Sequence, residues 1–522
     1  MGYNPYSDVR RVGTKMTFTL TDLTADTAHF TYDSSDTLFL AQRPQVTDGI
    51  TIPSRKWATT ELNDGWICDG SYDFLSETED NGEIGWWSYR YTAAGYTPSG
   101  MTGYGFASTV YLTVTSDTAL ASKAITIFFD ELRGEYANNF NVTTYSESNG
   151  TYSTLETIQV RNNESPVVIV QLTKNDYSRV RLDFKTLPTN NHFVKILEVL
   201  FGEVQIFTDN DIKDVHITYQ SSVFAEAFPS NELEITINNA DKAYNIVNPS
   251  GIYRFLQTGQ GINVSLYING SQINMGRFYF SGARSSDNAI TAEITGYDRA
   301  FLLDTVQYNN GRGSTWTVET AVADVIAVSG LDFAYSIPSE VASMTIRRDI
   351  PQETSCREAL RMIAQAAMCV CYFSRNDVLI FRRPEIGGTK DLLNADCLMS
   401  YPEAEDTGLI NYVELTARSD YRNTENTYIA QNIGVRETQQ TLSVDNPLIV
   451  DQAHGQAVAD WLLLMNSYRL TYNCESRGNI IDEIEDTIQI NDAYGNKKKA
   501  RMIGEEFILD NGLSCRIKAV TK

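Results

Sequence analysis

Between Trp316 and Arg383 the chain reads WTVETAVADVIAVSG (316–330) and, after a short extended piece, TSCREALRMIAQAAMCVCYFSRNDVLIFRR (354–383). Both runs have legible boundaries. Thr317 is placed to cap a helix that carries Glu319 in its first turn, Val318, Val322, Val325 and Ile326 recur at helical spacing, and Gly330 supplies the stop. Ser355-Cys-Arg-Glu358 is a capping box, in which the two side chains satisfy each other's backbone amides. Leu360, Ile363, Ala366 and Ala367 give the second helix its apolar face. Cys369-Val-Cys-Tyr-Phe373 and Val378-Leu-Ile-Phe-Arg382 then follow as two strands joined by the turn Ser374-Arg-Asn-Asp377. No catalytic group stands out in this helix–hairpin unit.

Composition narrows the rest. A chain of 522 residues exceeds one core and implies several domains. Its 29 Tyr and 22 Phe, with many Thr and Ile, lean towards strands. A net charge of −24 repels phosphate and argues against a nucleic-acid reader. Lys497-Lys498-Lys499 is the one basic run, and beside Tyr494-Gly-Asn496 it reads as a solvated hairpin tip. Seven Cys, at 68, 356, 369, 371, 397, 474 and 515, show neither metal spacing nor a disulfide framework. Cys369 and Cys371 fall on one face of a strand and read as a small buried apolar pair. Scattered, odd cysteines fit folding in a reducing cytoplasm. The N-terminus carries no secretory pattern, and no run of about 18 apolar residues is present to span a membrane.

Along the chain, residues 1–65 hold short strands such as Met16-Thr-Phe-Thr-Leu20 and Thr37-Leu-Phe-Leu40, interrupted by Pro44, Gly49 and Pro53. From 66 to 203, strand candidates at 109–114, 124–129, 140–145, 166–170, 180–184 and 192–201 alternate with turns, which argues for an all-β sandwich. Residues 204–310 are again strand-rich, with Ser230–Asp241, Gly261–Gly270 ending in the hairpin signal Asn-Gly, Met275–Ser281 and Ala289–Gly296. After the helix–hairpin unit (311–400), residues 401–522 offer strands at 411–416, 428–430, 468–472 and 486–490. They add a helix near 451–466, with Val458, Trp461, Leu462 and Met465 on its buried stripe, and a hairpin at Asp510-Asn-Gly512.

The helix–hairpin unit resembles the α+β module of the baseplate hub (tail-tip hub) proteins of tailed bacteriophages and related contractile injection machines. The order of strands from 230 to 296, leaving the barrel at Asp298 and Arg299, is similar to that family too. So is the ending, Asp445-Asn-Pro-Leu-Ile449 followed by the helix with Trp461 and the terminal hairpin. The resemblance covers residues 206–522. Residues 66–203 resemble galactose-binding-like (discoidin-like) jelly rolls in pattern. The expected fold class is mainly β with some α+β: two hub-type β-barrels at 204–310 and 401–522, the helix–hairpin module, and a jelly-roll-like β-sandwich.

Catalytic motifs are missing from the sequence. His29, His192, His216 and His454 lie in separate segments, and His216 alternates with Val215 and Ile217 on a strand's solvent or interface face. Gly311-Arg-Gly-Ser-Thr315 lacks a P-loop ending, and Gly103-Tyr-Gly105 follows no dinucleotide-binding strand. Asp482-Glu-Ile-Glu-Asp486 is the strongest carboxylate cluster and reads as a solvated approach to a strand. Asp209-Asn-Asp211 lacks the completing residues of a calcium loop. Trp86, Trp87, Tyr89, Tyr96 and Tyr104 sit in a Gly-rich part of the sandwich. Their flat rings suit either a sugar face or a core or subunit contact.

The reading is a structural virion protein, not an enzyme and without cofactor or metal: the hub of a phage tail tip or baseplate, linking the tail tube to a distal tip, spike or fibre. The family resemblance implies three copies in a ring, with DNA passing and not specifically bound. Its partners would be itself as a homotrimer, the tail tube and distal tail or baseplate proteins, and, through the aromatics, a host-surface glycan. An adhesin whose main task is binding host carbohydrate is the alternative; a peptidoglycan-degrading tail protein is the weaker third.

Overall fold

The computed structural model describes residues 11–21, 30–35 and 86–522, apart from breaks at 123, 130–134, 175, 241, 246–247, 249–255, 286–289, 310, 332, 395, 420–421, 436 and 511. The strand expected at Thr37–Leu40 lies outside the described residues, as do His29 and Cys68. The chain is mainly β, with short helices between runs of strands. It divides into two compact units, one of Met1–Met16, Phe207–Tyr253 and Ile262–Lys522, the other of Thr17–Ile206 with Arg254–Gly261.

The second unit is an all-β sandwich. One sheet orders Trp86–Tyr91, Phe193–Leu200, Ala124–Phe129 and Val167–Gln171; the other orders Phe30–Ser34, Tyr104–Leu120, Tyr177–Leu187, Asn139–Ser148 and Thr151–Val160. Alternation explains the pairing of faces: Val110, Leu112 and Val114 from one strand and Val180, Leu182 and Phe184 from its neighbour meet Ile125, Ile127 and Phe129 of the opposite sheet in one core. Phe129, Phe140 and Phe184 pack ring to ring at 5.9–6.3 Å. Thr151–Val160 was not legible as a strand. Its residues are half-buried or exposed throughout, so no apolar alternation marks it.

In the first unit the strands at 204–310 and those at 470–522, set apart by sequence, are hydrogen-bonded into one 13-stranded sheet. The join is the antiparallel pair Ile212–Gln220 and Lys497–Leu509, in register from Val215↔Leu509 to Gln220↔Gly504. The 497–509 strand is long enough to serve two neighbourhoods. Its first half pairs with Thr487–Asn491, and its second with both 212–220 and Leu513–Thr521, the register shifting between Met502 and Gly504. Val12–Thr21, placed by sequence in an N-terminal connector, is a strand whose entry is held within the first unit, where Arg11 N donates to Asn269 Oδ1 at 3.0 Å. Tyr412–Ser419, Thr424–Gln431 and Thr441–Asp445 instead form a separate three-stranded sheet. It packs Val413, Leu415 and Ala417 on Val458, Ala459 and Leu462 of the helix Gln452–Met465.

The helix–hairpin unit follows its sequence signals closely. Thr317 caps Val318–Ser329 and Gly330 ends it at φ 68°, a left-handed conformation that suits glycine. Ser355 caps Cys356–Ala366 by accepting from Glu358 N at 3.2 Å. Only half of the capping box forms. Ser355 is already paired with Gln307 in a short ladder, and the Glu358 carboxylate turns to Arg361 at 2.7 and 2.8 Å. Ser355→Ala should therefore cost about 1 kcal/mol, and Glu358→Ala no more than about 0.5 kcal/mol. Urea unfolding of the two variants measures both, and equal losses would restore the reciprocal box.

Candidate functional site

The hairpin tip 374–377, a plain turn by sequence, is a buried anchor. Arg375 is 7% exposed and crosses to the sheet, where its Nη2 donates to Glu505 Oε2 at 3.0 Å and to the Asp482 carbonyl at 2.6 Å, and its Nη1 donates to the Ile480 carbonyl. The guanidinium lies over Tyr219 and Phe507, 4.8 and 5.2 Å from the ring centroids. Asp377, at φ 58°, accepts from Arg299 Nε at 3.0 and 3.1 Å and from Tyr279 Oη at 3.1 Å. Asn231 and Asn274 donate to the carbonyls of Phe373 and Arg375. Every residue of this network belongs to the first unit.

A second buried pair lies nearby in sequence. Arg501 Nη1 donates to both oxygens of Glu485 at 2.6 and 2.8 Å, with the two side chains 2% and 0% exposed. Arg501 Nη2 donates to the Val223 carbonyl at 2.9 Å, and Ser221 Oγ to Glu485 at 2.6 Å. These contacts overturn the reading of 482–486 as a solvated approach. Asp482 and Glu485 are each 1% exposed, and Asp486 pairs with Lys390. Burial shows in the acidities. Glu505 is pushed up to about 8 by desolvation, against the pull of Arg375. Asp482 is pushed up to about 9 by burial and then by Asp391, and Asp298, which caps a short helix, to about 7 by burial.

The opposite face of the same sheet is acidic. Cross-strand register places Asp214, His216 and Thr218 beside Thr236, Glu234 and Glu232, and these beside Glu293, Thr295 and Tyr297. On the other side Thr218 meets Glu506, Glu506 meets Arg516, and Arg516 meets Glu475. His216 is bridged on both ring nitrogens, by Asp214 at 3.1 Å and Glu506 at 3.1 Å, so neither is left for proton transfer to a substrate. Burial, then Glu232 and Glu293, pushes the pKa of Glu234 up from the ordinary carboxylate range. A groove of about 670 Å³ opens here, lined among others by Thr218, Glu226, Glu403, Glu475, Glu506 and Lys518. Among the described residues no group of three His, Cys, Asp or Glu is disposed to hold a metal ion.

In the sandwich, the backbone of Trp86–Tyr91 pairs with Phe193–Leu200, Trp87 opposite Lys195. The side chains of Trp86, Trp87 and Tyr89 lie outside the described residues. Tyr96, 55% exposed, lies on the loop before the strand Tyr104–Leu120, which Tyr104, 37% exposed, opens; the Thr92↔Phe106 bridge closes that loop, and Tyr91, at 56%, sets its ring edge-on to Phe193. Gly105 is obligatory there, since a Cβ would sit 1.6 Å from the Tyr96 carbonyl oxygen. His192 Nδ1 lies 2.7 Å from the buried Glu135, which also meets the buried Lys195. Sequence reasoning missed this triad, as it missed Arg375, Arg501 and Glu505.

No protein-family model matches the chain, and no curated protein matches it. Solved structures do. It is similar to the tail protein from Neisseria meningitidis MC58 (14% identity over 61% of this chain and 94% of that one, TM-score 0.45). It is similar to the prophage MuSo2 43 kDa tail protein from Shewanella oneidensis (15%, 60% and 94%, TM-score 0.44). A third is the prophage tail protein gp18 from Listeria monocytogenes EGD-e (11%, 62% and 92%, TM-score 0.42). The first of these is described as a tail protein and the other two as prophage tail proteins. In each case the neighbour is covered almost whole, and about three-fifths of the present chain is used.

Proposed function

We propose that the chain is a structural component of a phage-type tail, the hub that joins the tail tube to a distal tip, spike or fibre in a threefold ring. The observation that carries it is the division of labour across the 13-stranded sheet. One face is committed to a core that the hairpin tip enters through Arg375. The other presents Asp214, Glu232, Glu234, Glu293, Glu475 and Glu506 against Arg516 and Lys518. A scaffold needs the first; a conduit for DNA is served by the second, because like charge keeps phosphate from adhering to a wall. The sandwich, with Trp86, Trp87, Tyr89, Tyr96 and Tyr104, would contact a host-surface glycan. That exposed loop is also what favours the second reading, an adhesin for which the remainder is a mount.

Purified full-length chain incubated with duplex DNA at low salt should show no measurable retention in a filter or mobility assay, since any phosphate-binding surface would be strongest there. Tight, salt-sensitive retention would contradict the conduit.

A further inference from the structure

The strand Tyr177–Leu187 runs through the middle of the sandwich's five-stranded sheet. Val180, Leu182 and Phe184 face the core, so Arg179, Arg181 and Asp183 face outward. Their cross-strand neighbours on that face are hydroxyls, an amide and tyrosines: Thr115 and Tyr145 flank Arg179, Thr113 and Thr143 flank Arg181, Tyr111 and Asn141 flank Asp183. The Arg179 guanidinium lies 3.3 Å from the Tyr152 ring centroid and that of Arg181 3.7 Å from the Tyr111 centroid. Each is also fixed through Nε, Arg179 donating to Thr115 Oγ1 at 3.0 Å and Arg181 to Asp183 Oδ1 at 3.0 Å. Among the described residues the terminal nitrogens of both guanidiniums make no hydrogen bond. In a chain of net charge −24, two cations are thus held flat, two residues or about 7 Å apart, with their donor forks unspent.

We propose that this sheet face binds an acidic polysaccharide, Arg179 and Arg181 gripping its oxyanions while Thr115 and Asn141, both half-buried, take its hydroxyls. The proposal deepens the reading of the sandwich as a surface-binding module and rests on it. A guanidinium fork matches a carboxylate or sulfate edge with two parallel bonds. Ring stacking and the Nε bonds have already frozen the arginine rotamers, so little ordering remains for binding to supply. Nucleic acid, the other common polyanion, is disfavoured by the charge of the whole chain and by Asp183 inside the row.

The test uses full-length chain in interferometry against immobilised polygalacturonate (carboxylate), dextran sulfate, neutral dextran and single-stranded DNA. Binding to one or both acidic polymers, and not to neutral dextran, is expected, the pair distinguishing a uronate from a sulfated source. Arg179→Gln/Arg181→Gln should weaken it about ten-fold or more, with circular dichroism and melting unchanged. Asp183→Asn, which removes the competing carboxylate, should tighten it about two-fold or more, a gain that misfolding does not produce. Binding unaffected by the double substitution, no binding to either acidic polymer, or equal binding of single-stranded DNA through the same arginines would each overturn the proposal. Retention of neutral glycan, lost in Tyr96→Ala/Tyr104→Ala and without acidic-polymer binding, would overturn it while leaving the surface-binding module standing.

Discussion

Replacing Arg501 by Met should destabilise the first unit by roughly 3–5 kcal/mol, the cost of stranding one charge of a buried pair. Glu485 would keep only the Ser221 hydroxyl among its described side-chain partners, and the Ser222 and Val223 carbonyls would lose their donor. Removing both charges should behave differently. Arg501→Met/Glu485→Leu takes away the stranded carboxylate along with its partner, so most of the loss should return. Denaturant unfolding of parent, single and double variants measures this directly. A single-variant loss under about 1 kcal/mol would mean that water reaches the pair and that it acts as a surface bridge.

Arg375→Met should cost a similar roughly 3–5 kcal/mol, and its cost should grow with pH. Burial holds Glu505 at about 8 against an ordinary 4.5. A carboxyl with its folded pKa above its unfolded one contributes stability that is complete below pH 4.5 and lost as pH rises towards 8. Without Arg375 the attraction that opposes this shift disappears, so the folded pKa moves further up and the loss extends to higher pH. The difference between parent and Arg375→Met should therefore be small at about pH 4 and widest above about pH 8, whereas Glu505→Gln should flatten that pH dependence. Stability curves at the two extremes decide it; a penalty independent of pH would place the cost in lost packing on Tyr219 and Phe507.

These two arginines also mark where the sequence stops being legible. Helix ends were readable because their physics is local: Thr317, Gly330 and Ser355 act within three residues of themselves. Strands with one buried face were readable because alternation survives in the sequence, as at Val215, Ile217 and Tyr219. Arg375 and Asp377 carry turn-like residue types, and their partners lie at 480, 482 and 505 and at 279 and 299. Nothing nearby announces that the tip is buried. The same holds for the run 482–486. Its charges carry no local sign of burial, because the partner of Glu485 is Arg501, sixteen residues on. Of the aromatic candidates, Tyr96 is exposed on a loop and Tyr104 at the start of a strand, and the close approach of the Tyr96 carbonyl explains the glycine at 105. The entry of Val12–Thr21 within the first unit also changes how the protein should be dissected. A fragment beginning at residue 206 loses Val12–Thr21 and cuts within the strand Gly202–Thr208.

The hub reading is tested most directly by negative-stain electron microscopy of the purified full-length chain across a concentration series. It predicts closed rings with threefold averaging symmetry and a central opening. Folded single chains at every concentration, with no ring at any, would contradict it.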